Sequence, residues 1–110
     1  MKILVVKPFL PPVVKEIDGT LKSMQEEVSG YIQALYPFEE PVALICNEEG
    51  KLLGLPLNRA LRDEDGKIYD IIAGTFFLCS APFGEEDFSS LSDNEIEHFT
   101  KLFQYPELFI

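Results

Sequence analysis

The sequence is short of basic residues, and this shortage limits what the protein can bind. Lys and Arg together number 9 against 19 Asp and Glu, so the formal net charge is -10 at pH 7. A surface with this charge repels phosphate backbones and anionic lipid head groups. We therefore expect no direct binding to nucleic acid or membranes, and we expect another protein as the partner.

Long apolar runs are also missing. No run approaches the ~20 residues that span a bilayer. The opening Met1–Pro8 holds an apolar run too short for a signal peptide, and no small-residue cleavage site follows it. These absences predict a soluble cytoplasmic protein, and a chain of 110 residues predicts one domain over residues 1–110.

Cysteine and histidine are scarce as well. Cys46, Cys79 and His98 are the only ones in the chain, and the paired ligand spacing of zinc sites is absent. We expect no metal and no cofactor. Both cysteines lie in apolar runs, which predicts reduced, slowly reacting core thiols. His98 lies off the apolar stripe of its helix and is predicted to be exposed, without chemistry.

Two segments have the capping and periodicity of helices. Thr20 is a predicted N-cap, and the first helix should end at Ser29-Gly30 with Gly30 at positive φ. Ser92 and Glu95 form a capping box for a second helix, which ends before Pro106. The apolar positions of the two helices are Leu21, Met24 and Val28, and Ile96, Phe99, Leu102 and Phe103.

Apolar and β-branched runs predict six strands. They are Ile3–Lys7, Val13–Ile17, Tyr31–Tyr36, Val42–Cys46, Lys51–Leu53 and Ile71–Cys79. The first two are expected to form a hairpin with a proline-bearing loop, and Gly74 within the last suggests a bulge or a close backbone approach. Residues 47–50 are typical of a type I turn, which predicts a hairpin between 42–46 and 51–53 and a positive φ at Gly50. Residues 55–61 contain Pro56, which argues against a strand, and are interpreted as an extended crossing segment followed by a polar loop at residues 62–67.

The predicted order is β-β-α-β-β-β-β-α. Strands in excess, with helices that do not alternate regularly with them, indicate an α+β fold. We expect a mainly antiparallel sheet of about five to six strands with two helices.

Four stretches carry a resemblance to a known family. They are Ser29-Gly30-Tyr31-Ile32, Cys46-Asn47-Glu48-Glu49-Gly50-Lys51-Leu52, Leu55-Pro56-Leu57-Asn58-Arg59 and Ile71-Ile72-Ala73-Gly74-Thr75. On these residues the chain resembles the bacterial domain of unknown function family DUF3846 over its full length. The sequence departs at Ser29, where similar sequences often have a second Gly. The resemblance implies a small protein of Gram-positive bacteria, often carried on mobile elements, and it implies no characterised activity or catalytic residue.

Two polar groups are candidate ligand-binding residues. Asn58 and Arg59 follow a proline-fixed segment, and such a pair can present an amide and a bidentate guanidinium to a carboxylate or phosphate. Asn47 and Glu48 lie in the predicted turn, which is expected to be exposed, and could bind a cation or polar ligand. The alternative interpretation is that all four are structural or solvated. No stretch places a nucleophile beside a base, so no catalytic residue is assigned.

The sequence favours a non-enzymatic accessory protein that acts by binding another protein. Three alternatives stay open. One is a binder of a small molecule or nucleotide derivative at Asn58 and Arg59, and another is a small hydrolase built from dispersed Asp, Glu and His98. The third is an acidic mimic of nucleic acid, of the antirestriction type, which the net charge of -10 suggests.

Overall fold

The computed structural model describes residues 1–109, and it shows an α+β fold of two helices and seven strands in the order β-β-α-β-β-β-β-β-α. The predicted class is confirmed, with one strand more than expected. The elements are β1 (Lys2–Val6), β2 (Val13–Glu16), α1 (Leu21–Val28), β3 (Ile32–Leu35), β4 (Val42–Asn47), β5 (Leu57–Arg62), β6 (Ile68–Ala73), β7 (Phe76–Ser80) and α2 (Asp93–Phe103).

Five strands form an antiparallel sheet in the order β2-β1-β7-β4-β3. The predicted hairpin of β1 and β2 is confirmed, with Leu4 opposite Val14. β7 lies in the centre between β1 and β4, with Leu78 opposite both Leu4 and Leu44. Long chain segments therefore separate the strands that form the middle of the sheet.

Strict alternation along the central strands fills both faces of this sheet. In β4, for example, Ala43 and Ile45 contribute to the cluster beneath α1, whereas Val42, Leu44 and Cys46 contribute to the cluster on the opposite face. That opposite face is covered by α2 and by a two-stranded sheet of β5 and β6. The central strands are therefore buried on both sides, which explains their continuous apolar runs.

The predicted central hairpin is wrong. β4 pairs with β3 and β7. Residues 51–53 form no strand and lie in a turn, in which Leu53 N donates to Glu49 O at 2.9 Å. The turn after β4 is confirmed, since Gly50 N donates to Asn47 O at 3.3 Å. An apolar pattern shows that a strand is buried but does not identify its neighbours, and here the neighbours are distant in sequence.

Two further strand predictions are wrong. Residues 57–62 form β5, because Pro56 lies just before the strand and removes no ladder donor. The predicted strand Ile71–Cys79 is two strands in different sheets, separated at Gly74, which has φ +82°. Glycine is favoured at this crossing because L side chains rarely adopt that φ, and an added Cβ would also lie 2.7 Å from Leu55 Cδ1.

The helix caps are confirmed at both N-termini, where Thr20 Oγ1 accepts from Ser23 N and Ser92 and Glu95 form the capping box. The positive φ predicted for Gly30 is wrong, because Ser29 takes the left-handed conformation with φ +60°. The prediction for Gly50 is also wrong. Both glycines are needed for space: an added Cβ would lie 2.7 Å from Asn47 Nδ2 at Gly30, and 2.6 Å from Ala73 O at Gly50.

The predicted apolar stripes are confirmed only in part. Met24 and Val28 of α1, and Phe99 and Phe103 of α2, are buried, whereas Leu21 and Leu102 lie exposed. Neither α1 nor α2, the helices that residues 1–109 form, has the length and hydrophobicity needed to cross a membrane.

Candidate functional site

Asn58 and Arg59 lie side by side in β5, beneath the five-stranded sheet. Their exposed fractions are 0% and 1%. Neighbouring residues of a regular strand point to opposite faces, but the pairing of β5 with β6 shifts register between Leu57 and Arg59, and Arg59 Nη1 donates to Asn58 Oδ1 at 2.9 Å. The extended segment that was expected to present them to solvent is therefore a buried strand.

The Arg59 guanidinium binds backbone carbonyls instead of an acid. Nε and Nη2 donate to Phe103 O at 3.2 and 2.9 Å, and Nη2 also donates to Leu10 O at 2.8 Å. Phe103 is the last residue of α2, so a cation lies where the helix dipole is negative. Burial lowers the pKa of Arg59 below its ordinary value, and Glu107 opposes this shift. Arg59 therefore fixes the end of α2 and the β1–β2 loop.

Asn58 joins three separate parts of the chain. Its Nδ2 donates to Val6 O at 2.8 Å and to Gly74 O at 2.9 Å, and its Oδ1 accepts from Arg59 Nη1 at 2.9 Å. The amide thus connects the end of β1 to the crossing between β6 and β7. Both Asn58 hydrogens are used within the chain, which leaves the amide no free donor for a ligand.

Asn47 has the same kind of role at the other helix. Its Nδ2 donates to Val28 O at 3.0 Å and to Ser29 O at 3.4 Å, at the end of α1, while its Oδ1 accepts from Glu49 N at 2.8 Å. Asn47 is only 6% exposed, so the expectation that it lies in an exposed turn is wrong. Glu48, next to it, is exposed.

Asn47 and Glu48 line a cavity of about 130 Å³ between β4 and β6, whereas Asn58 and Arg59 do not. At its rim, Lys51 Nζ and Asp70 Oδ1 form an ion pair at 2.7 Å. The four candidate residues therefore form no single site. Ligand binding by them stays a prediction, and the exposed carboxylate of Glu48 is the one among them left facing solvent.

A second surface, which the sequence interpretation missed, is strongly acidic. The register of β4 and β7 places Val42 opposite Ser80, and Ala81 N donates to Pro41 O at 2.7 Å. The residues before β4 and after β7 consequently meet around a cavity of about 370 Å³. We call this surface the acidic groove; its carboxylates are Glu39, Glu40, Glu85, Glu86 and Asp87, and its exposed aromatics are Tyr36 and Phe83.

Among residues 1–109, no Lys, Arg or His side chain lines the acidic groove, although His98 Nε2 lies 3.6 Å from Oε1 of Glu40, one of its carboxylates. Tyr36 and Phe83 are 64% and 83% exposed, which is high for aromatic rings. The groove continues into a neighbouring cavity of about 510 Å³, which shares Glu86, Asp87 and Phe88 and adds Asp18. The two acidic runs were visible in the sequence, but only the strand register shows that they are adjacent.

The thiols and the histidine show no arrangement for catalysis. Cys46 and Cys79 are free and buried, as predicted, and burial raises the pKa of Cys46 to about 11 and that of Cys79 to about 12. His98 is exposed, as predicted, and its Nε2 lies 3.6 Å from Glu40 Oε1. Within residues 1–109, no three His, Cys, Asp or Glu residues are grouped to hold a metal ion.

Comparison with known proteins gives one relationship. No curated protein and no solved structure matches the chain. The model of the family described as Domain of unknown function (DUF3846) matches residues 1–104 of the 110, which is most of the chain and includes every helix and strand described above. The match confirms the resemblance seen in the sequence, and the chain therefore belongs to the DUF3846 family.

Proposed function

We propose that this protein is a non-enzymatic binding module of the bacterial cytoplasm that holds a basic segment of a partner protein in its acidic groove. The observation that carries the proposal is the meeting of Glu39 and Glu40 with the 85–87 acidic run around one cavity, without a basic side chain among its lining residues. The resemblance to a family often found on mobile elements suggests that the partner belongs to the host or to the element.

The charges of the groove favour a cationic ligand in two ways. Five carboxylates around one cavity give a local negative potential that speeds the encounter with positive surfaces. Tyr36 and Phe83 offer exposed ring faces, and a Lys or Arg over an aromatic face gains roughly 0.5–1 kcal/mol at an exposed site. A flexible basic segment could use both, since Arg and Lys combine a charge with an apolar stem.

The other interpretations have less support. The donors of Asn58 and Arg59 are used within the chain, so a ligand would have to displace internal hydrogen bonds. A hydrolase built from Asp, Glu and His98 would need these groups together in a cavity, whereas His98 is exposed on α2 and its ion-pair contact is Glu40. Nucleic-acid mimicry is a special case of the proposed function, in which the basic segment belongs to a DNA-binding protein.

The proposal can be tested by removing three charges from the groove. In the groove variant, Glu85→Gln, Glu86→Gln and Asp87→Asn are combined. In the control variant, Glu26→Gln, Glu64→Gln and Asp65→Asn make the same change in net charge at exposed positions away from the groove. The probes are labelled short peptides in which Arg or Lys alternates with Gly, and fluorescence anisotropy measures their binding at low and high salt.

We expect the groove variant to bind the Arg peptide about tenfold more weakly than the control variant, the sum of three exposed charge pairs. High salt should weaken binding to the wild-type protein. Equal loss in the two variants would mean that only net charge matters and would overturn the proposal. A pull-down from a bacterial lysate then distinguishes mimicry, in which duplex DNA displaces the captured partner, from recognition of another basic protein.

A further inference from the structure

Within residues 1–109, the strand β2 is an outer strand of the five-stranded sheet, with β1 as its one neighbour. All four of its residues, Val13–Glu16, are exposed. An outer strand carries backbone N–H and C=O groups that no neighbour binds, and such an edge can accept a further strand.

The hydrogen bonds next to β2 show which groups face outward. Ile17 N donates to Met1 O at 2.9 Å, and the Met1 nitrogen donates to Ile17 O, so these two residues form a hydrogen-bonded pair. Such pairs alternate along an antiparallel ladder. The register of β1 and β2 therefore directs the backbone of Lys15 and Val13 toward β1. The N–H and C=O groups of Val14 and Glu16 consequently point away from the sheet.

An apolar groove runs along this edge on the face that carries α1. The cavity is about 200 Å³, and Val5, Leu10, Pro11 and Val13 supply its apolar lining. We call it the β2 groove. Lys7 and Lys15 also line it. Lys15 pairs with Glu27 of α1, whereas Lys7 forms no ion pair within the described part of the chain, residues 1–109. Among the charged residues that line the β2 groove, the unpaired charge is therefore the positive one of Lys7.

The loop at the end of the β2 groove is held in a fixed conformation. Leu10 N donates to Lys7 O at 3.3 Å, and Phe9 has φ +69°, a conformation that is costly for a bulky side chain. The buried Arg59 holds the loop from below through Leu10 O. Phe9 and Leu10 nevertheless remain exposed. A fixed apolar loop loses little entropy when a partner binds it.

A second copy of the chain is a poor occupant of this edge. Pairing two β2 strands with Val14 opposite Val14 places Pro12, which has no N–H, opposite Glu16 twice. Shifting the register so that Val14 faces Glu16 places one Lys15 directly opposite the other, and like charges opposite each other destabilise a sheet. A net charge of -10 on each chain adds repulsion.

We propose that the open edge of β2 accepts an extended segment of a partner protein as a sixth strand of the sheet. Apolar residues at alternate positions of that segment fill the β2 groove, and one carboxylate reaches Lys7. The segment forms backbone hydrogen bonds with Val14 and Glu16. Its chemistry is thus apolar and acidic, the opposite in charge of the segment proposed for the acidic groove.

The test removes one outward donor. In Val14→Pro the strand loses an N–H that points to solvent, which an edge position tolerates, and Val14→Thr keeps that N–H while changing the side chain. The probes are acetylated and amidated peptides in which Val alternates with Thr and a single Glu takes each position in turn. A matched set of peptides has Lys in place of Glu. Circular dichroism and the unfolding midpoint check that each variant is folded.

We expect a Glu peptide to bind the wild-type protein and Val14→Thr with similar affinity. It should bind Val14→Pro about tenfold more weakly, because this variant lacks one hydrogen bond to the peptide backbone. The exposed Lys7→Glu should reverse the preference, so that the Lys peptides bind more tightly than the Glu peptides. The amide signals of Val14 and Glu16 should shift on binding in nuclear magnetic resonance spectra.

Three results would overturn the proposal. They are absence of binding by every peptide, equal binding by Val14→Pro and Val14→Thr, and dimerisation of the chain through β2. The Glu peptides contain no basic residue. The triple variant of the acidic groove at residues 85–87 should therefore bind them as tightly as the wild-type protein does. A negative result in the β2 test therefore does not count against the proposed function of the acidic groove, and a negative result in the acidic-groove test does not count against the β2 proposal.

Discussion

Arg59 donates two hydrogen bonds to the carbonyl oxygen of Phe103, from Nε at 3.2 Å and from Nη2 at 2.9 Å. A buried cation thus replaces the solvent or glycine cap with which many helices end. The exposed fraction of Arg59 is 1%, and its guanidinium is bound by backbone oxygens from two distant parts of the chain and by the Asn58 side chain. This arrangement predicts that Arg59 is needed for folding.

We expect Arg59→Lys to lower the free energy of unfolding by about 3 kcal/mol, because an ammonium at this position cannot reach Phe103 O and Leu10 O in the same fork and leaves buried carbonyls unpaired. Arg62→Lys is the matched control. Arg62 pairs with Glu107 in a half-exposed ion pair, and its loss should cost at most about 1 kcal/mol. Urea denaturation measures both, and equal small losses would contradict a structural role for Arg59.

Replacing either Asn47 or Asn58 by Ala should lower the free energy of unfolding of the protein. We expect a loss of about 1–3 kcal/mol in each case, because both amides bind buried carbonyls. Asn58→Ala should cost more, since it also deprives Arg59 Nη1 of its acceptor. Asn94→Ala, at an exposed position of α2, serves as a control and should change little. A larger loss for Asn47→Ala than for Asn58→Ala, measured by urea denaturation, would reverse the order expected from these contacts.

Substitutions at Ser29 and Gly30 should change the free energy of unfolding in opposite directions. Ser29→Gly should raise the free energy of unfolding by about 0.5 kcal/mol, because Ser29 has φ +60° and glycine adopts that conformation without a Cβ penalty. Gly30→Ala should lower it by more than about 1 kcal/mol, since the new Cβ would lie 2.7 Å from Asn47 Nδ2. Thermal unfolding of the two variants compares them, and the same sign for both would refute this assignment of their roles.

The raised pKa values of the two buried cysteines predict that the protein becomes less stable at alkaline pH. In the folded protein burial raises the pKa of Cys46 from 9.0 to about 11 and that of Cys79 from 9.0 to about 12. Above pH 9 the unfolded chain therefore releases thiol protons that the folded chain retains, and the free energy of unfolding falls as the pH rises from about 9 to 11. Urea denaturation across this range measures the effect, and a variant with Cys46→Ala and Cys79→Ala should show a smaller slope.

The same burial predicts slow thiol labelling. A polar disulfide reagent at pH 8 should react with Cys46 and Cys79 only as fast as the protein opens, whereas it should react at once in urea. Fast labelling of either thiol in the native protein would contradict the buried positions.

Local features of the fold could be predicted from the sequence, because they depend on residues close together in the chain. The caps at Thr20 and Ser92, the hairpin of β1 and β2 and the buried run of β4 are of this kind. The partners of β4 could not be predicted, since alternating hydrophobicity shows that a strand is buried but not which strand lies beside it. The glycine at position 74 suggested a bulge, whereas it marks the change from one sheet to the other, with φ +82°.

The candidate site was harder to predict than the fold. Arginine is rarely buried, so Asn58 and Arg59 suggested an exposed recognition pair. Their actual partners are backbone carbonyls of Leu10, Phe103, Val6 and Gly74, which carry no signal in the sequence. The acidic groove depends on the pairing of β4 with β7. Sequence therefore supplied the residue types of the site but not their neighbours.

The central position of β7 has a consequence for the order in which the protein can fold. β1 and β4 each pair with β7. The pairing of β1 with β7 closes a loop of about 70 residues, so it cannot form before residues 76–80 have been synthesised. Proteins dominated by such distant pairings fold slowly, in milliseconds to seconds. On the ribosome, we expect the hairpin of β1 and β2 to be synthesised before the elements that cover its two faces. During synthesis its apolar residues Leu4 and Val6 stay uncovered until α2, the last element that covers this face, has emerged, and that interval is when the chain is most open to aggregation.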